Sequence, residues 1–197
     1  MRHRLAAALV AAVLTLTACD DVSEPGASNV DVGTPELAEI KRATDVPDCV
    51  PGDGDDGGLP ALTLPCLGGG EAVDLSTLEG PMVINLWASW CGPCRKEMPA
   101  LQEFHERYAA RVPVLGIDYQ DQQPAAALEL ARKSGVSYPL LADPGGDLNA
   151  QDPVPVIRGL PHLLFLAEDG ELSIESGGVD SADELADLVR EHLGIDL

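Results

Sequence analysis

Basic side chains are scarce in this chain: 12 Lys and Arg stand against 33 Asp and Glu, a formal charge of -21 over 197 residues. A surface that negative repels phosphate backbones and argues against nucleic acid as a partner. Aromatics are also few, with 2 Trp, 3 Tyr and 2 Phe, so aliphatic side chains must supply most of the packing. Beyond Thr17 no apolar run approaches the ~18 residues that a bilayer-spanning helix needs. There is no flavin or nicotinamide signature and no internal repeat, so no cofactor is expected and any redox chemistry falls to the chain's own side chains. What is present, a hydrophobic share of 45%, suffices for one globular core preceded by a leader and a tether.

The amino terminus has the build of a secretory leader, with Arg2, His3 and Arg4 ahead of an apolar stretch from Leu5 to about Thr17. Leu16-Thr17-Ala18-Cys19 resembles the lipobox of bacterial lipoproteins, which implies cleavage after residue 18, acylation of Cys19 and anchoring at the extracytoplasmic face of the cell membrane. The organisation expected is a signal peptide over 1–18, a lipidated acidic tether and loop over 19–58, and a folded domain over 59–197. Export favours disulfides. Of five Cys, lipidation of Cys19 leaves four; three pairings are open, and the natural one joins Cys91 to Cys94 and Cys49 to Cys66.

From Asp20 to about Asp48 the composition turns to Asp, Ser, Glu, Pro and Gly, which reads as a flexible tether, with at most a short turn of helix over 37–42. The run from Pro51 to Gly58 superficially resembles a calcium loop, but Leu64 stands where a bidentate Glu is needed, so a solvated surface loop is expected and no metal. Residues 62–64 and 72–75 flank Gly68-Gly69-Gly70 as a hairpin. Met82 to Ala88 is a nearly continuous apolar run, as expected of a central strand covered on both faces. Helices follow over 92–110, 124–134 and 181–193, and strands over 112–118, 138–142, 162–167 and 171–174. Ser181 and Glu184 fit a capping box on the last helix.

Trp90-Cys91-Gly92-Pro93-Cys94 falls where the buried strand gives way to a helix. Cys91 would stand at the helix start, where unpaired N–H groups and the positive end of the macrodipole favour the thiolate. Cys94 follows one turn later, and Pro93 gives up an N–H that would lack an intrahelical partner anyway. The pair can therefore cycle between dithiol and disulfide, with Cys91 attacking and Cys94 resolving the mixed disulfide. The same spacing is half of a zinc site. Cys49 and Cys66 are too far apart in sequence to form a second knuckle, so redox chemistry is the better reading.

The segment Asn85 to Pro99 resembles the active site of thioredoxins, and within that superfamily it is most similar to the membrane-anchored TlpA and ResA branch, over about 59–193. The resemblance implies a thioredoxin-like α/β fold, a central mixed sheet flanked by helices, here with an N-terminal hairpin extension. It implies a helix that continues through Pro99, a buried acid at Glu97 that tunes the thiols and moves protons, and a cis-proline at Pro161 facing the cysteine pair. Trp90, Gly92, Pro93, Leu160 and His162 would line the substrate groove, whereas Trp87 belongs to the core. Asn85 departs from the buried Asp of cytoplasmic thioredoxins, which shifts that role toward Glu97; His162 departs from the usual Thr. Cys49 and Cys66 are expected to form a structural bridge worth about 3 kcal/mol, with a second redox relay as the alternative.

The activity implied is thiol:disulfide exchange on exported proteins. Reduction is the leading direction, with apocytochrome c haem-attachment cysteines as possible substrates and a CcdA/DsbD-like membrane thiol carrier as donor. Disulfide formation is the alternative. A peroxidase of the peroxiredoxin type would want Thr where Ala88 stands, and a non-catalytic ligand- or metal-binding lipoprotein would not need both Cys91 and Cys94.

Overall fold

The computed structural model describes residues 30–54 and 57–197; the leader and Cys19 lie outside them. No helix among the described residues is long and apolar enough to cross a membrane.

Five strands form one sheet in the order β5-β4-β3-β6-β7. The central strand β3 (Met82–Trp87) pairs in parallel with β4 (Val114–Tyr119), which pairs in parallel with β5 (Leu140–Asp143). On its other side β3 pairs antiparallel with β6 (His162–Leu166), and β6 with β7 (Leu172–Ser176). The apolar run at β3 reflects cover on both faces. Val83 and Trp87 face one core with Met98, Phe104, Leu185 and Val189, while Ile84 and Leu86 face a second with Leu64, Leu75 and Leu164. Alternation of side chains along the strand puts Asn85 on the same face as Val83 and Trp87.

Helix α2 (Gly92–Tyr108) runs through Pro99 and packs against α4 (Ala182–Leu193); α3 (Pro124–Lys133) connects β4 to β5. Ser181 Oγ accepts from Glu184 N at 3.1 Å, and the Glu184 carboxylate reaches back to Asp180 N at 2.7 Å, one residue before the cap. A separate antiparallel hairpin joins β1 (Thr63–Leu64) to β2 (Val73–Asp74), followed by a 3-10 turn over Leu75–Thr77.

Two parts of the expected tether differ. Residues 30–54 pack on the domain: α1 (Pro35–Arg42) is capped by Thr34 and lies against α3, and Val32, Leu37 and Val46 are buried in the helix-side core. A few well-spaced apolar residues, held at the far end by a Cys49–Cys66 disulfide, suffice to order a segment whose average composition is polar. In the glycine-rich run after it, Gly52, Gly54 and Gly57 are docked on backbone rather than standing in a solvated loop. Gly52 N donates to Thr77 Oγ1 at 3.2 Å, Gly54 N to Thr77 O at 3.0 Å and Gly57 N to Ser76 O at 2.8 Å. A Cβ at Gly52 or Gly57 would overlap the backbone of Thr77 or Leu78, so the glycines serve close approach.

Candidate active site

Cys91 is the N-cap of α2, and its Sγ accepts from Cys94 N at 3.2 Å. The two cysteines form a disulfide with Cα atoms 5.3 Å apart. Cys91 is 4% exposed and Cys94 is fully buried, so the sulfurs differ in access as well as in helix position. Gly92 and Pro93 are exposed, and nothing lies within 4 Å of a Cβ built at Gly92, which leaves the approach to Cys91 open on that side.

The junction ahead of Cys91 is held from two directions. Ser89 N donates to Asp121 Oδ2 at 2.6 Å, and the Arg95 guanidinium donates to Ser89 O, Nε at 2.8 Å. Asp121 Oδ1 in turn accepts from Gln123 N at 2.9 Å, so one buried carboxylate ties the end of β3 to the start of α3. Trp90 is 51% exposed and donates from Nε1 to Gln120 O at 3.2 Å, which lays its ring along the surface beside the cysteines; Trp87 is fully buried.

Glu97 lies on the buried face of α2 one turn after Cys94. It is 1% exposed, and neither carboxyl oxygen makes a hydrogen bond of ordinary geometry. Burial pushes its pKa up to about 8, against weaker opposing help from the Asn85 side chain and the Val179 backbone. Tyr138, fully buried, feels the Glu97 charge as well as its own burial, and its hydroxyl is pushed up. Gly178 closes this chamber: a Cβ there would sit 2.6 Å from Glu97 Oε2 and 3.3 Å from Pro161 Cγ. Asp118, one strand over, is held well above the carboxylate range by burial and then by the Asp121 charge.

Antiparallel pairing places the start of β6 at the end of β3, with His162 opposite Leu86, so Pro161 arrives at the edge of the sheet from which Cys91 leaves. The Leu160–Pro161 peptide is cis, as are Gly80–Pro81 and Asp152–Pro153. Pro161 is buried and its carbonyl accepts from Gly177 N at 3.0 Å; Leu160 and His162 are half-buried, and His162 Nδ1 has no hydrogen-bond partner. Cys49 and Cys66 are bonded to each other, Cα atoms 5.8 Å apart, at the opposite end of the sheet near the start of β5. Cys19 falls outside the described residues.

Sequence reasoning passed over Asp121, Tyr138 and Gly178. Asp118 lies in the buried strand β4 and Asp121 two residues past its end, where a buried carboxylate needs a reason to be; that is the available signal for Asp121. Gly178 shows its role only once β6, β7 and α2 are assembled.

A mixed sheet whose central parallel strand ends in a helix capped by one cysteine of a redox pair defines a thioredoxin-like fold built for thiol–disulfide chemistry. The chain belongs to the AhpC/TSA family, whose model matches residues 58–172. It is similar to the thiol-disulfide oxidoreductase ResA of Bacillus thuringiensis subsp. konkukian, 26% identical over 125 residues that cover 62% of this chain and 69% of the relative. A secreted Mycobacterium tuberculosis disulfide oxidoreductase homologous to E. coli DsbE superposes with a TM-score of 0.56 at 25% identity, covering 66% of this chain and 96% of that one. A DsbF homologue from Corynebacterium diphtheriae gives a TM-score of 0.59 at 25% identity, over 68% and 85% of the two chains. This chain is accordingly a thiol-disulfide oxidoreductase of the ResA/DsbE type.

Proposed function

We propose that this chain reduces disulfides of exported proteins on the extracytoplasmic side of the membrane, with Cys91 attacking, Cys94 resolving and Glu97 handling the proton. The observation that carries the assignment is the asymmetry of the pair: Cys91 at the helix cap with a backbone N–H on its sulfur, Cys94 fully buried behind it, and a neutral carboxyl one turn further along. The Cys91 thiolate attacks a substrate disulfide, forming a mixed disulfide and releasing one substrate sulfur as a thiolate that takes a proton from water. Cys94 then loses its proton to the minority of Glu97 that is ionised near neutral pH and attacks Cys91; the second substrate sulfur leaves as a thiolate that takes a proton from water, and the Cys91–Cys94 disulfide forms. With a folded pKa of about 8, Glu97 can both hold and release a proton near neutrality.

Trp90, Gly92, Pro93, Leu160, Pro161 and His162 form the substrate groove in this reading, supported by the exposure of the first three and by the convergence of β3 and β6. Among the described residues no cationic side chain hydrogen-bonds Cys91 Sγ, so its thiolate rests on the helix end and one N–H; such moderate stabilisation supports a reductant rather than a strong oxidant. Regeneration then needs a membrane thiol carrier of the CcdA/DsbD kind. Apocytochrome c cysteines are suitable substrates, since exposed, extended dithiol segments fit an open groove. The lipobox at Cys19 supports anchoring of the domain to the membrane. Ile84 and Ala88 occupy the Pro and Thr positions that a peroxidatic cysteine at 91 would require, which counts against peroxide as substrate.

The test is the reduction potential of the Cys91–Cys94 couple in a Cys49→Ser/Cys66→Ser protein equilibrated with glutathione buffers. A value near that of thioredoxin, about -270 mV, supports the reductase; one near that of DsbA, about -120 mV, reverses the direction to disulfide formation.

A further inference from the structure

The second cysteine pair has surroundings that a purely mechanical crosslink does not need. Cys66 Sγ lies 3.4 Å from Lys41 Nζ and 3.2 Å from Cys49 N, two donors aimed at one sulfur. Lys41 is a buried lysine, its side chain 7% exposed, and it also donates to Gly69 O at 2.9 Å and pairs with Asp48 at 3.0 Å. Cys49 Sγ lies 3.3 Å from Leu140 O, an acceptor. A disulfide sulfur has no proton to give and accepts only weakly, so these partners gain little from the oxidised pair. They match the reduced pair: a Cys66 thiolate would receive the ammonium and the N–H, and a Cys49 thiol would donate to Leu140 O. Burying a lysine is costly, and placing it over a sulfur is the arrangement that lowers the cost of a thiolate.

The two cysteines line different clefts. Cys49 lines an apolar one of about 140 Å³ with Val50, Met82, His105, Pro113 and Pro139, whereas Cys66 lines one of about 230 Å³ that also holds Asp31, whose carboxylate repels an incoming thiolate. The Cys49 cleft is large enough for a small uncharged thiol and has no cationic side chain to draw an anionic one.

We propose that Cys49–Cys66 is a second exchange-competent disulfide, reduced by small neutral thiols that enter the Cys49 cleft and attack Cys49 while Lys41 holds Cys66 as the leaving thiolate. In the first step the incoming thiolate forms a bond to Cys49 Sγ, the Cys49–Cys66 bond breaks, and its electron pair leaves on Cys66. A second thiol, deprotonated, attacks the small-molecule sulfur of that mixed disulfide; Cys49 departs with the electron pair and takes a proton from water. Two thiols are oxidised to one disulfide and the protein disulfide is reduced to a thiol and a thiolate. Lys41 acts through Cys66 and is a positioning residue.

The experiment uses the full chain carrying Cys91→Ser and Cys94→Ser, equilibrated under native conditions in dithiothreitol redox buffers, quenched with iodoacetamide and read by peptide mass. The expected result is reduction of Cys49–Cys66 with the far-UV circular dichroism unchanged. In Lys41→Met the equilibrium constant for reduction should fall about tenfold, about 30 mV, and Lys41→Arg should restore most of it. Reduction only on unfolding, or equal midpoints for all three proteins, would overturn the proposal. A second readout avoids any folding defect at Lys41: 2-mercaptoethanol given briefly to the parent protein should leave its adduct on Cys49 and the carbamidomethyl group on Cys66. The reverse placement, or no adduct, overturns the assignment.

Discussion

Ser89 N donates to Asp121 Oδ2 at 2.6 Å, so the backbone just ahead of Cys91 hangs from a carboxylate on the neighbouring strand's exit loop. Replacing Asp121 by Ala leaves the buried Ser89 N–H without its acceptor and frees Gln123 N as well. The expected cost is about 1–3 kcal/mol of stability, read by urea unfolding, together with slower insulin reduction. Asp121→Asn keeps an acceptor for Ser89 and should lose distinctly less; equal loss in the two variants would show that the hydrogen bond is not what positions the junction.

Cys91→Ser should abolish exchange, whereas Cys94→Ser should attack once and stop. Incubated with an oxidised dithiol-containing protein, the Cys94→Ser chain is expected to accumulate as a covalent mixed disulfide through Cys91, visible on a non-reducing gel. Accumulation in Cys91→Ser instead would invert the roles drawn from their exposures of 4% and 0%.

Glu97 should couple stability to pH. Its pKa is 4.5 in the unfolded reference and about 8 in the folded protein, so between those values the folded state keeps a proton that the unfolded state has released. Stability that is fully present below pH 4.5 is therefore lost as pH rises toward 8, by about 1.4 kcal/mol per unit within the window. Glu97→Gln cannot ionise and should flatten that part of the urea-midpoint profile between pH 5 and 8. An unchanged slope would mean that other buried acids, Asp118 foremost, carry the effect.

Gly178→Ala probes the same chamber without replacing a titrating group. The new methyl would crowd Glu97 Oε2 and Pro161 Cγ, and one of them must move. Insulin reduction should fall while the reduction potential of Cys91–Cys94 shifts little, because neither sulfur's hydrogen bond is altered. A full-rate Gly178→Ala enzyme would show that the chamber has room to spare.

Gly57→Ala tests the docked strip. Overpacking against Leu78 should cost about 1–3 kcal/mol in urea unfolding. No change would mean that the strip peels away at little cost.

Much of this was legible before any coordinates. The strand 82–87, the helix beginning at Gly92 and the last helix stood out because each carries a strong period or a cap, and the thioredoxin-like order of elements followed from them. Val32, Leu37 and Val46 were invisible for the opposite reason: single apolar residues in a polar stretch have no periodicity, and their burial depends on a surface built by residues far along the chain. At the site, Cys91, Cys94 and Glu97 form a local pattern within one helix. The Asp121 anchor, the Tyr138 neighbour and the bare Gly178 come from three other segments, and only tertiary assembly brings them within reach.

The antiparallel register of β3 with β6 sets Met82 against Leu166 and Leu86 against His162, across most of the domain's length. Contacts of such sequence separation form late, because closing the intervening chain must come before they yield any stabilisation. Cys91 and Cys94, three residues apart, can meet and oxidise long before that wall arrives. A newly made chain would thus possess its reactive sulfurs early and the β6 wall beside them last, so chemical competence precedes selectivity during folding.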